Sequence, residues 1–444
     1  MVTRRLLNND ANQRLRGGDF ENAERGLIAL IRSAPHDLNA RLRAADGLLA
    51  AGKAAGAIAT YVFIAKEAAL AGHPLKSIVA LKILSSIDPG AQQFLEALGQ
   101  RYGAGSAMLG RAVRLAPPDP ESEVPSAAFI PNGVTTDQVF ELAAQASVSR
   151  EALPGYPPTV APIPLLSDLP GDAFARMIAA VQLRRPALGE VVIREGEPGE
   201  AFFMIARGAV RVSKRGGPGA AQDTVLAQLG EGSIFGEMAL VSGAPRGATV
   251  TAVEDTDVLV FGRDALEAVA RDLKVVEAAL DRFTRERLLS NLLATHPLFR
   301  PFDRAQRQQL AGRFSAHEAA PGTVLIREGD AGRGIFLLLS GEVDVQKIDG
   351  NDRVLLAMLK AGDVFGEISL IEQSPTTATV TASRQTTVLF LARDVFDRLV
   401  QGVPALKEYF HQLAEERLMD TNMVMATSRE SMVPDAPEDE TVLF

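Results

Sequence analysis

The sequence predicts a multidomain α+β protein. An N-terminal α-helical repeat is followed by two β-rolls (double-stranded β-helix, jelly-roll-like) with flanking helices. Two observations lead to this prediction. Residues 1–115 have helical spacing, with glycine and proline marking the breaks between helices. Residues 163–420 contain a long internal repeat of short runs rich in Val, Ile, Leu and Phe that end at glycine turns, which is typical of a sandwich or roll.

Composition excludes several classes of function. The chain has 444 residues, of which 47% are hydrophobic and 23% charged, the balance of a soluble globular protein. It has no cysteine, which excludes disulfides, thiolate nucleophiles and cysteine-ligated metals. The five histidines lack metal-ligand spacing and no catalytic motif is present. We therefore predict no metal site, no catalytic residues and no enzymatic activity. The high content of Ala and Arg favours a bacterial source.

Charge and hydropathy limit the partners. The net charge is −9, distributed as +6 over residues 1–115 and −15 over the remainder. An acidic chain is poorly suited to nucleic acid, so none is expected as a partner. The sequence has no run of 18 apolar residues and no apolar signal-peptide core. We therefore expect no membrane insertion and a cytoplasmic location.

Residues 1–115 have the pattern of paired helices. Gly18 and Gly52 lie 34 residues apart, and Ala23 and Ala57 recur at the same offset. A turn glycine and a small residue for close helix packing at this period resemble a short, degenerate tetratricopeptide array, although the usual aromatic residue is missing. The resemblance implies a surface for a protein partner, whose identity the sequence leaves open.

Two segments are predicted to lie outside the folded domains. Ten of the 25 prolines fall within residues 116–164, which predicts a semi-rigid, extended linker over residues 116–162 with one short helix at Thr136–Ala146. Residues 430–444 hold five acidic and no basic residues, so we predict a disordered acidic tail over residues 421–444.

The internal repeat has a period of 130–133 residues. Three motifs recur at this spacing: Val192–Gly196 as Leu325–Gly329, Gly208–Val212 as Gly341–Val345, and Phe235–Glu237 as Phe365–Glu367. We place the first roll at residues 163–293 and the second at residues 294–420.

Helical spacing follows each roll. After the first, apolar residues alternate by three and four: Leu266, Val269, Leu273, Val276, Leu280 and Phe283. Such a stripe is either a dimer seam or the face of a helix packed on its own roll, so a homodimer stays open as an alternative.

An anion site is predicted at the turn that follows Phe235. Gly236 admits a tight turn after a strand, and a short helix at Glu237–Leu240 would offer free backbone N–H groups to a phosphate. Arg246 returns a guanidinium that can bond two oxygens at once. Glu237 can accept a hydrogen bond from a sugar hydroxyl while Arg246 balances its charge. The ligand that fits is a ribose with a phosphate folded close to it.

The run from Phe235 to Val250 resembles the phosphate-binding cassette of cyclic nucleotide-binding domains, and the two copies resemble a tandem pair of them. The resemblance implies that Glu237 binds the ribose 2′-hydroxyl and Arg246 the cyclic phosphate. Gly247 stands where domains that prefer cyclic GMP usually carry threonine, which favours cyclic AMP and leaves cyclic GMP open. No cofactor besides this ligand is expected. The predicted binding residues are Phe235, Gly236, Glu237, Met238, Ala239, Arg246, Gly247, Ala248 and Thr249.

The second copy departs from this pattern because Thr376 replaces the arginine. Losing one charged hydrogen-bonding partner costs about 1.5–3 kcal/mol, or roughly 10- to 150-fold in affinity. Glu367 is expected to lack a neutralising charge. We therefore predict weak or no cyclic nucleotide binding here, although the Thr377 hydroxyl leaves a different nucleotide open. The residues of this degenerate site are Gly366, Glu367, Ile368, Ser369, Thr376, Thr377 and Ala378.

The predicted function is a cyclic AMP sensor and signalling adaptor that binds ligand in the first roll and acts on a protein partner through the helical repeats. One alternative is a scaffold that binds no nucleotide. Another is a regulatory subunit of a protein kinase, whose tandem architecture is similar. Such subunits place a basic pseudosubstrate before the first roll, whereas residues 116–163 hold the single basic residue Arg150.

Overall fold

The computed structural model of the protein describes residues 2–87, 92–111, 116–150, 155–215, 223–237, 245–350 and 352–431. The chain divides into two compact units after Phe283. The first unit contains the helical region and the first roll, and the second unit contains the second roll. In the part of the chain that is described, no helix has the length and apolar character needed to span a membrane.

The described N-terminal residues are helical, as predicted: α1 (Arg4–Gly17), α2 (Phe20–Ser33), α3 (Leu38–Ala50), α4 (Ala54–Leu70), α5 (Pro74–Ile87) and α6 (Gln92–Tyr102). Gly18 and Gly52 follow α1 and α3 with φ of 79° and 76°, a backbone conformation that favours glycine. Ala23 and Ala57 are fully buried where neighbouring helices pack. The 34-residue spacing therefore corresponds to pairs of helices.

The short helix predicted at Thr136–Ala146 is present, but it is packed on the helical region and is not part of an extended linker. Helix α7 (Thr136–Val148) packs against α2, α3 and α4 and buries Val139, Phe140 and Ala143. The buried Arg41 donates hydrogen bonds to three carbonyl oxygens at the C-terminal end of α7. Because its apolar face matches the groove between these helices, the segment belongs to the helical region.

The first roll follows helix α8 (Gly171–Ala180). Its described strands are β1 (Gln182–Arg184), β2 (Val191–Ile193), β3 (Ala201–Arg207), β4 (Val210–Lys214), β5 (Thr224–Leu229), β6 (Ile234–Phe235), β7 (Thr249–Ala252) and β8 (Asp257–Gly262). They form two antiparallel sheets in the orders β1-β8-β3-β6 and β2-β7-β4-β5.

Side chains on β3 alternate between two cores, as expected of a strand buried on both faces. Phe203 and Ile205 point between the two sheets of the roll. Phe202 and Met204 join the core that the roll shares with the helical region, where α5 packs on β1 and β3. The helical region and the first roll therefore have one continuous core.

The second roll repeats this topology. Helix α11 (Arg304–Ala311) precedes it, and its described strands are β9 (Ser315–Ala319), β10 (Val324–Ile326), β11 (Gly334–Ser340), β12 (Glu342–Asp349), β13 (Asp352–Lys360), β14 (Val364–Phe365), β15 (Thr379–Ala382) and β16 (Thr386–Ala392). The sheet orders β14-β11-β16-β9 and β10-β15-β12-β13 match those of the first roll strand for strand. The predicted fold class is confirmed.

The helices after the rolls decide between two alternatives that the sequence left open and correct one prediction. Helices α9 (Arg263–Asp272) and α10 (Lys274–Thr295) carry the apolar stripe, which is buried in its own unit, with Phe283 5.4 Å from the Phe202 ring. The stripe is therefore the face of a packed helix and no longer supports a homodimer. After α12 (Glu367–Ile371) and α13 (Arg393–Gly402), α14 (Pro404–Ser431) continues through residues 421–431, which were predicted to be disordered. The rest of the predicted tail, residues 432–444, lies outside the described residues.

Candidate functional site

The turn after β6 begins with a closely packed glycine. Gly236 has a φ of 80°, and a Cβ on it would lie 2.8 Å from both Arg246 Nη1 and Ile193 Cδ1. The Phe235 ring stacks on Phe203 of β3 at a centroid distance of 5.1 Å. Glycine is therefore required here both by its backbone conformation and by the approach of the arginine.

Arg246 is only 8% exposed although it carries a full charge. Its Nη2 donates to Ala201 O at 2.8 Å, its Nη1 donates to Gly236 O, and the guanidinium lies 5.7 Å from the centroid of the Phe203 ring. Burial lowers its pKa, while nearby carboxylates oppose that shift. Arg246 forms no ion pair with the carboxylates that the structure describes, so its charge is directed to the turn and available to an anion.

The other predicted residues of the first roll differ in exposure and contacts. Glu237 and Ala248 are half-buried, and Gly247 is exposed. The Thr249 hydroxyl accepts a hydrogen bond from the backbone N–H of Glu195 at 3.1 Å, which ties β7 to the loop after β2. The predicted residues Met238 and Ala239, together with most of the predicted helix at Glu237–Leu240, lie outside the described residues.

The second roll has the same framework around its turn. Gly366 has a φ of 88°, and Phe365 stacks on Phe336 at 5.0 Å. The Thr379 hydroxyl accepts a hydrogen bond from the N–H of Glu328 at 3.1 Å, the equivalent of the Thr249 contact. Both rolls therefore present a short turn beside a curved, partly apolar wall.

A family model described as the cyclic nucleotide-binding domain matches residues 183–272 and 316–402. Each match falls on one of the two rolls. The chain carries two cyclic nucleotide-binding domains in tandem. The tandem repeat and the resemblance that the sequence suggested are confirmed.

Similar proteins include regulatory subunits of cAMP-dependent protein kinases. The subunit from Yarrowia lipolytica is 31% identical over 239 residues, which cover 54% of this chain and 59% of that protein. The subunit from Hypocrea atroviridis is 33% identical over 249 residues, with 54% and 51% covered. This chain thus spans between half and three fifths of the length of these two relatives.

A similar solved structure is the regulatory domain of Toxoplasma gondii PKA with cAMP. It is 29% identical, with a TM-score of 0.27 and coverage of 57% of this chain and 92% of that one. The bacterial source that composition favoured is contradicted, because the curated relatives from Yarrowia lipolytica, Blastocladiella emersonii and Hypocrea atroviridis are fungal proteins.

The second domain uses Thr376 for a different purpose. Its hydroxyl donates a hydrogen bond to the carbonyl oxygen of Arg327 at 2.6 Å and lies 3.1 Å from the carbonyl oxygen of Asp330. Ser369 donates to Gly366 O at 3.1 Å, while Ile368, Thr377 and Ala378 line the adjacent cavity. Thr376 therefore stabilises the loop and has no charge to offer a phosphate.

The expectation that Glu367 lacks a neutralising charge is wrong. Glu367 is 1% exposed, and its Oε1 accepts a hydrogen bond from Arg417 Nη1 at 2.8 Å. Arg417 lies on α14, 50 residues along the chain, and also donates to Val364 O. No repeat or spacing in the sequence links these two residues, so sequence reasoning missed Arg417.

Among the described residues, no group of three or more His, Asp or Glu side chains is placed to hold a metal ion. At both turns a glutamate follows the glycine, and in the first domain the buried Arg246 donates to the carbonyl oxygen of that glycine. The two sites differ in their charge at one equivalent position. The first domain has the basic residue Arg246 there, and the second domain has the uncharged Thr376.

Proposed function

We propose that the first cyclic nucleotide-binding domain is a sensor for cyclic AMP. The observation that carries the proposal is the buried guanidinium of Arg246, which is held by two carbonyl oxygens and has no ion-pair partner among the described carboxylates. A buried cation of this kind favours a bound anion strongly. The cAMP-dependent kinase subunits to which the chain is similar support the choice of a cyclic nucleotide.

The preference for cyclic AMP over cyclic GMP rests on Gly247. It follows Arg246, is exposed and has no hydroxyl to offer a guanine base. The protein itself acts as a regulator and not as a catalyst, in keeping with relatives that are regulatory subunits.

The helical region receives the signal through a contact close to the site. Glu231 lies in the turn before β6, the strand that leads to Gly236, and accepts a hydrogen bond from Lys76 of α5 at 2.7 Å. If the ligand binds more tightly to one position of this turn, it also favours the packing of α5 that goes with that position, because the two are coupled through the contact between Glu231 and Lys76. Saturating cyclic AMP should therefore change amide hydrogen exchange across α5, and unchanged exchange would contradict this route.

A second candidate function is regulation of a protein kinase catalytic subunit, favoured by the identity of the relatives. The single basic residue of residues 116–163, Arg150, is bonded to the buried Glu67 at 2.7 Å. A kinase would accordingly have to dock on another surface of this protein. Inhibition of a cAMP-dependent kinase catalytic subunit by the full-length protein, relieved by cyclic AMP, would support this function. If the kinase activity is unaffected by the protein, the signalling-adaptor function is favoured instead.

Calorimetric titration of the full-length protein with cyclic AMP and then cyclic GMP tests the proposed ligand. We expect one site, with cyclic AMP binding more tightly. Arg246→Ala should weaken binding by at least about tenfold, since it removes a charged hydrogen-bonding partner. The matched control is Arg271→Ala, which alters an exposed arginine on α9. Absence of heat with both nucleotides would favour the scaffold, and unchanged affinity in Arg246→Ala would place the site elsewhere.

A further inference from the structure

A polar cavity of about 360 Å³ lies within the first unit, between the helical region and the first domain. Helices α1 and α3 form one side of it, and the turns that follow β3 and β7 form much of the other. Just two of its described lining residues, Leu188 and Val253, have apolar side chains. None of the described lining residues belongs to the predicted cyclic nucleotide site, so this cavity is distinct from the pocket at Gly236.

The side of the cavity that α1 forms is rich in side-chain amides. Asn8 and Asn12, and likewise Asn9 and Gln13, lie four residues apart on the helix, so all four share one face. Asparagine is one of the weaker helix formers, because its side chain competes with the backbone for hydrogen bonds. Helix formation therefore does not explain three asparagines in α1, whereas a ligand that bonds to amides would.

Four buried polar atoms on the lining residues of this cavity have no hydrogen-bond partner among the described residues. They are Asn12 Oδ1, Asn39 Oδ1, Arg43 Nε and Arg207 Nη2. The described residues contain eight such atoms in all, so half of them belong to one cavity. Native proteins pair nearly all of their buried polar groups, because an unpaired group keeps the cost of losing its water. A bound molecule that both accepts and donates hydrogen bonds would pair these four atoms.

The two unpaired nitrogens belong to buried guanidinium groups. Arg207 is 6% exposed, and its Nε donates to Asp257 Oδ2 at 2.6 Å. Arg43 Nη2 lies 3.3 Å from Asp255 Oδ2. Burial, together with the nearby charge of Arg207, lowers the pKa of Arg43 to about 10, while nearby carboxylates oppose that shift. Two arginines that repel each other and still have an N–H to donate favour an anion that accepts from both.

Other groups in the cavity favour a positively charged donor. Asn12 Oδ1 and Asn39 Oδ1 can each accept a hydrogen bond. Glu254 is an exposed lining residue and forms no ion pair with the cations that the structure describes. A simple anion would leave these three groups without partners. The cavity therefore fits a small molecule with a negative charge and a positive charge close together.

We propose that this cavity binds a free α-amino acid with a short, polar side chain. Its carboxylate accepts hydrogen bonds from Arg43 Nε and Arg207 Nη2, and its ammonium group donates to the oxygens of Asn12 and Asn39. Small side-chain rotations, which commonly accompany binding, bring these atoms to the ligand. A short, polar side chain fits because the lining is mostly polar. The inference does not rest on nucleotide binding by either domain, and either proposal can fail alone.

The test is calorimetric titration of the full-length protein with glycine, L-serine, L-asparagine and L-aspartate, in saturating cyclic AMP so that the nucleotide site does not contribute. We expect at least one amino acid to bind. The same amino acid should raise the midpoint of thermal unfolding as its concentration increases, because it binds the folded form. Absence of binding by all four would overturn the proposal and leave water as the partner of the unpaired atoms.

Two analogues of the amino acid that binds test its two charges separately. The carboxamide lacks the carboxylate, and the acid without the amino group lacks the ammonium. Each should bind at least about tenfold more weakly, since each leaves part of the cavity unpaired. An asparagine can also turn its NH2 group inward and donate to an anion. Equal binding of the acid without the amino group would therefore overturn the proposal in favour of a simple anion site.

A matched pair of variants locates the site. Asn12→Leu removes an unpaired amide and adds an apolar side chain to the cavity wall, so it should abolish amino acid binding without lowering thermal stability. The control is Asn22→Leu, at an exposed position of α2 outside the cavity, which should leave binding unchanged. If Asn12→Leu does not fold, Asn39→Leu makes the same test from α3. Undiminished binding in a folded Asn12→Leu or Asn39→Leu variant would contradict the inference.

Discussion

Arg246 and Thr376 stand at equivalent positions, 130 residues apart, in two domains of the same topology. The arginine is held by the carbonyl oxygens of Ala201 and Gly236 and is open to an anion. The threonine is bonded to the backbone of its own loop, and a cleft opens beside it. One substitution therefore changes the charge, the volume and the hydrogen-bonding capacity of the pocket together.

At Arg246 the geometry of the guanidinium should matter as much as its charge. Arg246→Lys keeps the charge but replaces a planar guanidinium, whose Nη1 and Nη2 reach different carbonyl oxygens, with a single nitrogen. We expect cyclic AMP affinity to fall by roughly tenfold, with little change in thermal unfolding. Titration calorimetry of this variant beside Arg271→Lys, an exposed position on α9, measures the effect. Full affinity in Arg246→Lys would show that charge alone is sufficient.

At the scale of the elements, the sequence predicted helix α7 but not its packing, and it did not predict where α14 ends. The prolines around α7 placed the predicted helix within an extended linker, whereas the helix begins at a capping box of Thr135 and Gln138 and packs on three other helices. The predicted tail begins at residue 421, but α14 continues to Ser431, where Thr421 lines the cavity of the second domain and Met425 is buried. In both cases tertiary contacts outweigh local composition.

The packing of α7 can be measured through Phe140, which is 8% exposed. Phe140→Ala should reduce the free energy of unfolding of the first unit by about 3 kcal/mol, because it removes buried apolar surface and leaves a cavity. Urea unfolding followed by circular dichroism measures the change. The control is Phe129→Ala, since Phe129 is 37% exposed. Equal effects of the two substitutions would mean that α7 is not packed on the helical region.

At the scale of the molecule, the first domain and the helical region are joined by buried charges as well as by a common core. Asp257, on β8, is bonded to Arg207 and Arg185, and Arg185 also reaches Asp46 of α3. Burial opposes ionisation of Asp257, but the two arginines hold its pKa far below the usual value. Glu231 forms a second such contact with Lys76.

These carboxylates predict loss of stability in acid. Burial opposes ionisation of Glu231, but hydrogen bonds and charge from His73 and Lys76 lower its pKa from 4.5 to about 2. Because the folded-state pKa is depressed, the stabilisation is present above about pH 4.5 and is lost as the pH falls toward 2. Glu231→Gln should flatten this part of the curve of unfolding free energy against pH for the first unit. An unchanged slope between these pH values would exclude Glu231 as a contributor.

Much of the fold and of the first site could be predicted from the sequence. The recurrence of the Phe-Gly-Glu turn identified both domains, and the 34-residue spacing predicted the helical region. Such features are local: a glycine with positive φ, an alternating strand and a short motif depend on residues close together in the chain. Arg246 lies ten residues from Gly236, so that part of the site was visible in the sequence.

The sequence by itself determined the order of the domains and the chemical difference between Arg246 and Thr376. Only the tertiary structure decided that Arg417 neutralises Glu367, that Glu367 Oε2 stays unpaired and that the apolar stripe near Phe283 is buried in its own unit. Each of these depends on side chains that folding brings together from distant parts of the chain. No sequence period or motif predicts these contacts, because they depend on how whole helices and strands pack against one another.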